Sequence, residues 1–309
     1  MTPLKNRKIA ILAGGPSCER EISLISGRAV FDALTSKGLS ILMMDPVGDF
    51  VATLKKENVS LVFLALHGTF GEDGTVQRIL EEEGIAYTGS GVLASELAFD
   101  KFRTQSVLRK AGIRVPEFDI LKDSRSLEKP SAISFPLVVK PTKSGSSVGI
   151  SILSRAEDYT RAVEEAFRYS DSVLIEQYIQ GRELTVGFLD GQALPVVEVI
   201  AKRKFYDYEA KYGDAETRYE FPAKLSDALA SEVSGVALKA YQAIGCEVMA
   251  RVDIILSEDQ KPYVLEINTI PGLTHKSLLP KAAKASGIDF PDLCVKILDL
   301  SKKRLKING

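Results

Sequence analysis

Lys8-Ile-Ala-Ile-Leu-Ala-Gly-Gly15 is a short apolar run that ends in two glycines, and it governs how the start of the chain folds. The apolar residues predict a buried strand, the glycines a tight turn, and the residues that follow, through Phe31 and Leu34, a helix. Leu39 to Met44 and Leu61 to Leu66 continue the alternation of strand and helix. Because this alternation produces a parallel sheet with helices on its faces, we predict an α/β fold here.

The composition changes after this first unit, which ends near Thr88. Ser95 to Lys110 predicts one helix, and a proline-containing connection then leads to a second unit of strands around a glycine and serine loop. A third unit alternates strands with a polar insert and ends in a C-terminal helix. We therefore expect three domains, at residues 1–89, 90–184 and 185–309, with the insert at residues 204–221.

Composition and charge exclude several classes of protein. The 309 residues are 45% hydrophobic and 26% charged, which is typical of globular chains rather than disordered or fibrous ones. The formal net charge of −1 provides no long-range field for nucleic acid. Three cysteines without a CxxC pair favour a reduced, cytoplasmic protein without a disulfide framework. The apolar run at Ile9 to Ala13 is too short to span a membrane, so we expect no membrane partner.

Two short motifs, Arg-Val-Asp and Glu-Ile-Asn, flank a polar segment that predicts a hairpin loop. With the turn centred at residues 259–260, Asp253 lies opposite Glu266. Arg251 then lies opposite Asn268, on the same strand face. Adjacent carboxylates repel each other unless a cation lies between them, and oxygen ligands suit Mg²⁺ that is shared with phosphate. The pattern predicts a metal site; a solvated hairpin with cross-strand salt bridges is the alternative.

A second candidate site follows Lys140, which ends a predicted strand. The next residues, Ser144 to Gly149, are glycines, hydroxyls and one valine. Backbone N–H groups of such a loop can cradle phosphate oxygens, and a lysine supplies a positive charge. The order is not that of a Walker loop. We predict a phosphate-binding loop, with a flexible turn as the alternative.

The insert from Lys204 to Phe221 combines aromatic and charged residues. It is too polar for a core and too aromatic for a linker. A loop that folds over a site and excludes water fits this mixture, whereas a surface cluster of aromatic residues is the alternative.

Taken together, these segments resemble the ATP-grasp ligases and, within them, the D-alanine–D-alanine ligase family. The resemblance spans essentially the whole chain, and the motifs that carry it are Gly14 to Leu24, Leu66 to Gln77, Asp100-Lys101, Lys140 to Gly149, Phe205 to Tyr212 and Leu265 to Thr274. It implies a three-domain ATP-grasp architecture, α/β overall and α+β in the ATP-binding part, with a Rossmann-like N-terminal parallel sheet.

The resemblance also implies a nucleotide site between the central and C-terminal units. The residues it assigns to ATP are Lys101, Lys140, Ser147, Glu176, Tyr178, Ile179 and Glu183. Asp253, Glu266 and Asn268 would hold two Mg²⁺ ions, with Mn²⁺ as an alternative. The family transfers the γ-phosphoryl group to the carboxylate of a first D-alanine, and the amine of a second D-alanine then attacks the acylphosphate.

Further residues are implied at the amino-acid sites. Those assigned to catalysis are Glu19, Ser146, Tyr212, Arg251 and Gly272. Those assigned to substrate binding are His67, Lys211, Ser277 and Leu278. In this picture Glu19 holds the ammonium group of the first D-alanine, and Arg251 with the Gly272 N–H stabilises the oxyanion. Glu19, Ser146 and Tyr212 form a hydrogen-bonded chain that joins the three domains when the lid closes.

Two alternatives to D-alanyl-D-alanine synthesis remain open. The first is a related ATP-grasp ligase with D-lactate or D-serine as second substrate, and the Lys211-Tyr212 pair argues against D-lactate. The second is a silent nucleotide-binding protein, against which the retained metal ligands argue. Ile270, His275-Lys276 and Phe99 depart from the commonest family pattern, and the loop changes bear on the second-substrate pocket. The resemblance further implies a homodimer.

Overall fold

The computed structural model describes residues 4–124, 129–130, 132–200 and 217–306. Lys211 and Tyr212 lie outside these residues, as does the predicted insert except for residues 217–221. In the described part of the chain, no helix combines the length and apolar character needed to cross a membrane.

The N-terminal part is a parallel sheet, as the alternation of strand and helix predicts. Its strands lie in the order β2-β1-β3-β4. The strands are β1 (Ile9–Leu12), β2 (Ile41–Met44), β3 (Leu61–Leu64) and β4 (Ala86–Tyr87). The helices between them are α1 (Arg20–Ser36), α2 (Phe50–Lys56) and α3 (Thr75–Glu82). Strands β1 and β3 are buried along their whole length, as expected for strands covered on both faces.

The central part is an antiparallel sheet in the order β5-β8-β6-β7. Two helices, α4 (Val92–Phe99) and α5 (Lys101–Lys110), precede it. Its elements are β5 (Phe118–Leu121), β6 (Leu137–Pro141), β7 (Ser151–Leu153), α6 (Tyr159–Phe167) and β8 (Val173–Gln177). Helix α6 packs on β6 and β8 and closes a small apolar core on one side of the sheet.

The C-terminal part is a second antiparallel sheet, in the order β12-β11-β9-β13-β14, with β10 paired to β9. Its strands are β9 (Gly181–Leu189), β10 (Gln192–Ala193), β11 (Val197–Ile200), β12 (Arg218–Glu220), β13 (Met249–Ser257) and β14 (Pro262–Asn268). The helices are α7 (Asp227–Ile244), α8 (Leu278–Ala285) and α9 (Phe290–Ser301). Helix α7 packs on β13 and β14, whereas α9 packs against α1 of the N-terminal part.

Two helix predictions were wrong. The single helix predicted at Ser95 to Lys110 is broken at Asp100, whose backbone is extended and whose carboxylate accepts from the Arg103 N–H at 3.0 Å. The single C-terminal helix is two helices, separated near Gly287, which has a φ of 79°, and restarted by an Asp289 cap. In both cases a capping aspartate begins a new helix inside a continuous apolar pattern.

The predicted hairpin is confirmed in the register of its polar pairs. Asp253 lies opposite Glu266, and Arg251 lies opposite Asn268. Closer to the turn the register shifts, because Ile254 pairs with Val264. Leu265 is therefore an extra residue in β14, and a bulge of this kind re-aims the side chains beside it.

Candidate active site

A cavity of about 560 Å³ brings together residues from the N-terminal, central and C-terminal parts of the fold. The predicted residues that line it are Glu19, His67, Lys101, Ser146, Ser147, Arg251, Glu266, Asn268, Gly272, Ser277 and Leu278. These positions are far apart in the sequence and come together only through the fold. The other predicted residues that the structure describes lie outside the cavity lining: Lys140, Glu176, Tyr178, Ile179, Glu183 and Asp253.

The hairpin presents its polar face to this cavity. Arg251 donates to both oxygens of Asp253, from Nε and from a terminal nitrogen, at 2.8 Å each. Thr185 on the neighbouring strand donates to Asp253 Oδ1 at 2.7 Å. The Asn268 amide nitrogen donates to Asp253 Oδ2 at 3.2 Å, which makes its amide oxygen the atom offered to a cation. Thr185 was missed by the sequence analysis, since it joins the group through strand pairing.

These side chains fit a hard divalent cation by their chemistry. Asp253 and Glu266 are cross-strand neighbours, and Asn268 adds an amide oxygen on the same face. Oxygen donors of this kind are the ligands that Mg²⁺ prefers. Within residues 4–124, 129–130, 132–200 and 217–306, no group of three or more His, Cys, Asp or Glu side chains gathers as a metal site. The hairpin, with two carboxylates and one amide, remains the predicted metal face.

Two buried lysines that were predicted at the site each have an acidic partner. Lys101 is buried, and its Nζ lies 3.7 Å from Glu266 Oε2 and donates to the Ser144 carbonyl at 2.5 Å. It thereby links the hairpin to the predicted phosphate loop. Lys140 is buried against Glu176, with 2.7 Å between Nζ and Oε2. A buried ion pair of this kind holds a hydrogen-bond donor and an acceptor side by side.

The serine loop closes against the start of α1. Ser146 Oγ donates to Glu19 Oε1, which is the contact expected between two of the three residues in the predicted chain. Ser146 and Ser147 have φ values of 50° and 59°, in the left-handed region. A Cβ at Gly145 would collide with the Glu19 carboxylate, so this close approach requires glycine.

His67 lies buried on the N-terminal side of the cavity. Its Nε2 lies 3.0 Å from Ser26 Oγ, and its Nδ1 lies 3.8 Å from Glu72 Oε1. Ser26 and Glu72 also line the cavity, and neither was predicted as a site residue. Ser26 lies on α1 at the helical spacing of core residues, so no local signal distinguishes it.

The loop before α8 forms another wall. Ser277 Oγ accepts from the Thr274 N–H at 3.1 Å and lies 2.9 Å from Thr274 Oγ1. A Cβ at Gly272 would lie 2.9 Å from Ser277 Oγ, so the glycine permits this tight loop. Behind it, Lys281 lies 4.2 Å from the centre of the Tyr219 ring. Burial, and secondarily the charge of a neighbouring lysine, lower the pKa of Lys281 to about 8.

Tyr178, Ile179 and Glu183 lie around the junction of β8 and β9 rather than in the cavity. The Tyr178 N–H donates to the Pro136 carbonyl at 3.3 Å. Glu183 is half-buried on β9 and pairs with Val199 of β11.

Comparison with known proteins supports, along the whole chain, the family resemblance that the sequence motifs indicate. Residues 107–299 match the family model described as D-ala D-ala ligase C-terminus, and residues 46–90 match the model described as D-ala D-ala ligase N-terminus. A D-alanine–D-alanine ligase from Syntrophotalea carbinolica is 47% identical over 295 residues, which cover 96% of each chain.

Solved structures agree. A D-alanine–D-alanine ligase from Bacillus anthracis, complexed with ATP, is 33% identical and has a TM-score of 0.87, covering 98% of this chain and 100% of its own. The VanG D-Ala:D-Ser ligase from Enterococcus faecalis is 29% identical with a TM-score of 0.82, covering 96% of this chain and 99% of its own.

The fold and the matches define an ATP-grasp ligase, and both the predicted fold class and the predicted enzyme class are confirmed. The chain belongs to the D-alanine–D-alanine ligase family.

Proposed function

We propose that this protein joins two D-alanines to D-alanyl-D-alanine, with conversion of ATP to ADP and phosphate, as a step in peptidoglycan precursor synthesis. One observation carries the proposal. A single cavity is lined by the acidic residue Glu19, by the loop of Thr274 and Ser277, and by the hairpin face with its cation Arg251 and carboxylate Glu266. This arrangement fits two amino acids that meet beside a polyphosphate.

The nucleotide is proposed to lie along Lys101 and Lys140. Lys101, at 3.7 Å from Glu266, supplies positive charge where phosphate oxygens and the hairpin meet. Lys140 would contact phosphate, and Glu176, whose Oε2 lies 2.7 Å from Lys140 Nζ, would meet the adenine. Ser147 would contact phosphate, with Tyr178, Ile179 and Glu183 around adenine and ribose. Asp253, Glu266 and Asn268 would hold Mg²⁺. When bound, Mg²⁺ would neutralise charge on the phosphoryl group during its transfer.

The first D-alanine is proposed to bind by its ammonium group at Glu19, with His67 beside it. Phosphorylation of its carboxylate gives an acylphosphate and ADP. The deprotonated amine of the second D-alanine attacks the acyl carbon, and phosphate leaves after the tetrahedral intermediate. Arg251 and the Gly272 N–H would stabilise the oxyanion of that intermediate, because fixed donors are most effective where charge develops.

The second D-alanine is proposed to bind with its carboxylate at Ser277, beside Leu278 and Lys211. Ser277 Oγ is already held by Thr274, which fixes its orientation. Tyr212 would complete the chain that begins with Glu19 and Ser146. D-serine remains a competing second substrate, since a D-Ala:D-Ser ligase is among the structural relatives. D-lactate is less favoured by the Lys211-Tyr212 pair.

A parallel assay tests the proposal. The protein is incubated with ATP and Mg²⁺, and with D-alanine, L-alanine, D-alanine plus D-serine, or D-alanine plus D-lactate, while ADP and products are followed. We expect ADP formation with D-alanine but not L-alanine, and D-alanyl-D-alanine as the main product at neutral pH. Mainly depsipeptide or D-alanyl-D-serine under competition would refute the assigned second substrate, and no ADP with D-alanine would refute the ligase assignment.

The variant Glu266→Gln tests the proposed metal site, because it keeps the size of the side chain but removes a charged metal ligand. It should abolish turnover, whereas unchanged turnover would refute the assignment of Glu266. We also propose a cytoplasmic homodimer and the three-domain division at residues 89 and 184. Light scattering of the purified protein tests the homodimer, and limited proteolysis tests the domain division.

A further inference from the structure

Gln105 lies fully buried in α5 and belongs to none of the motifs that carry the family resemblance. Its side-chain nitrogen, Nε2, donates to acceptors in two different sheets. One is Glu176 Oε1 on β8 of the central sheet. The other is the carbonyl oxygen of Leu265 on β14 of the C-terminal sheet, at 3.3 Å. One amide group therefore bridges the two sheets that flank the proposed nucleotide site.

Each acceptor belongs to a different end of that site. Glu176 also holds Lys140, with 2.7 Å between Oε2 and Nζ, so Gln105 is the third member of this ion-pair network. Leu265 is the extra residue of the bulge, and Glu266 follows it directly. Because a bulge re-aims adjacent side chains, the position of the Leu265 carbonyl bears on where Glu266 points.

The oxygen atom of the Gln105 amide provides a second observation. Within the described part of the chain, Gln105 Oε1 is buried and has no hydrogen-bond partner. A buried polar atom without a partner lowers stability, and an apolar side chain of similar size would avoid that cost. The benefit of a glutamine here lies in its donor, which reaches Glu176 and Leu265 at once.

We propose that Gln105 is a positioning residue that couples the Lys140–Glu176 pair to the bulge before Glu266, and thereby sets the metal-binding face of the hairpin. The inference rests on the proposed function, because it takes the hairpin as the metal site and Glu176 as a contact to the adenine. Gln105 itself does not line the cavity. Its loss should weaken metal binding through the misplacement of Glu266.

The experiment compares Gln105→Leu with Thr104→Val, a matched control from the same helix. Thr104 is also fully buried, but its hydroxyl donates to the Leu97 carbonyl of α4, at 2.7 Å, and not to either sheet. Binding of Mn²⁺ in the presence of a non-hydrolysable ATP analogue is measured from the electron paramagnetic resonance signal of free Mn²⁺. Urea unfolding of the ligand-free protein is measured in parallel.

We expect Gln105→Leu to weaken Mn²⁺ binding about tenfold, the lower end of what loss of an outer-shell partner costs, and Thr104→Val to change it less than about twofold. Gln105→Met, unbranched and of the same length, provides the measurement if Gln105→Leu does not fold. Wild-type Mn²⁺ affinity in a folded Gln105 variant would overturn the inference. A wild-type protein that binds neither Mn²⁺ nor the analogue would instead refute the proposed function, and the inference with it.

Discussion

The Lys140–Glu176 pair gives the sharpest stability prediction. Its side chains are only 5% and 3% exposed, so neither charge is solvated by bulk water. In Lys140→Met the Glu176 carboxylate keeps the Gln105 amide as its one side-chain partner among the residues that the structure describes. An uncompensated buried charge costs about 3–5 kcal/mol, out of a total free energy of unfolding of about 5–15 kcal/mol. Lys140→Met should therefore lose a large part of the folding stability.

The double variant Lys140→Met/Glu176→Leu should recover most of this loss. Both charges are then gone, and the remaining cost is the Gln105 donor that has lost an acceptor, about 1–3 kcal/mol. The two substitutions should thus be strongly coupled in a double-mutant cycle. Nucleotide affinity should not recover in the double variant, because it lacks both side chains of the Lys140–Glu176 pair that is proposed to contact ATP.

Urea unfolding followed by circular dichroism, without nucleotide, measures these changes, since bound ligand would add stability of its own. The matched control is Lys224→Met, which breaks a 2.6 Å pair with Glu220 whose lysine side chain is 82% exposed. It should cost less than about 1 kcal/mol. A loss of similar size in Lys140→Met and Lys224→Met, or additive losses in the double variant, would refute the reasoning.

Three further predictions concern single positions. Because burial lowers the pKa of Lys281 from 10.5 to about 8, the unfolded chain binds more protons between these pH values. Wild-type stability should therefore rise from pH 8 to 10.5 relative to Lys281→Met, and parallel urea curves without a difference would contradict this. Cys18 is exposed, whereas burial raises the pKa of Cys246 and Cys294 to about 12. A thiol reagent at pH 8 should modify only Cys18 in the folded protein, and faster labelling of the others would contradict their burial. Asp100→Ala removes a helix cap and should cost about 1 kcal/mol in urea unfolding, and no loss would contradict the break at this residue.

Local patterns in the sequence predicted much of the fold. The pairing of Asp253 with Glu266 followed from a polar turn and the two-residue period of a strand. The bulge at Leu265 could not be predicted this way, because the register shift is an irregularity of strand pairing that the two-residue period does not record. The break at Asp100 was missed because the apolar pattern continues across it, although an aspartate before a segment with helical apolar periodicity is itself a capping signal.

The same distinction between local pattern and tertiary packing applies to the residues of the candidate site. Residues inside recognisable motifs, such as Glu19 and Lys101, could be placed from the sequence alone. Gln105 and Thr185 could not, since their partners are 71 and 68 positions away and are brought near only by sheet packing. The contributions of Lys211 and Tyr212 remain predictions from the resemblance.

We propose that the carboxylates of Asp253 and Glu266 on the hairpin converge on a metal-bound triphosphate. Crystals grown with a non-hydrolysable ATP analogue and Mn²⁺, measured at a wavelength where manganese scatters anomalously, locate the ions directly. We expect peaks about 2.1 Å from oxygens of Asp253, Glu266 and Asn268, beside the phosphates. Peaks elsewhere, or a nucleotide bound away from this face, would contradict it.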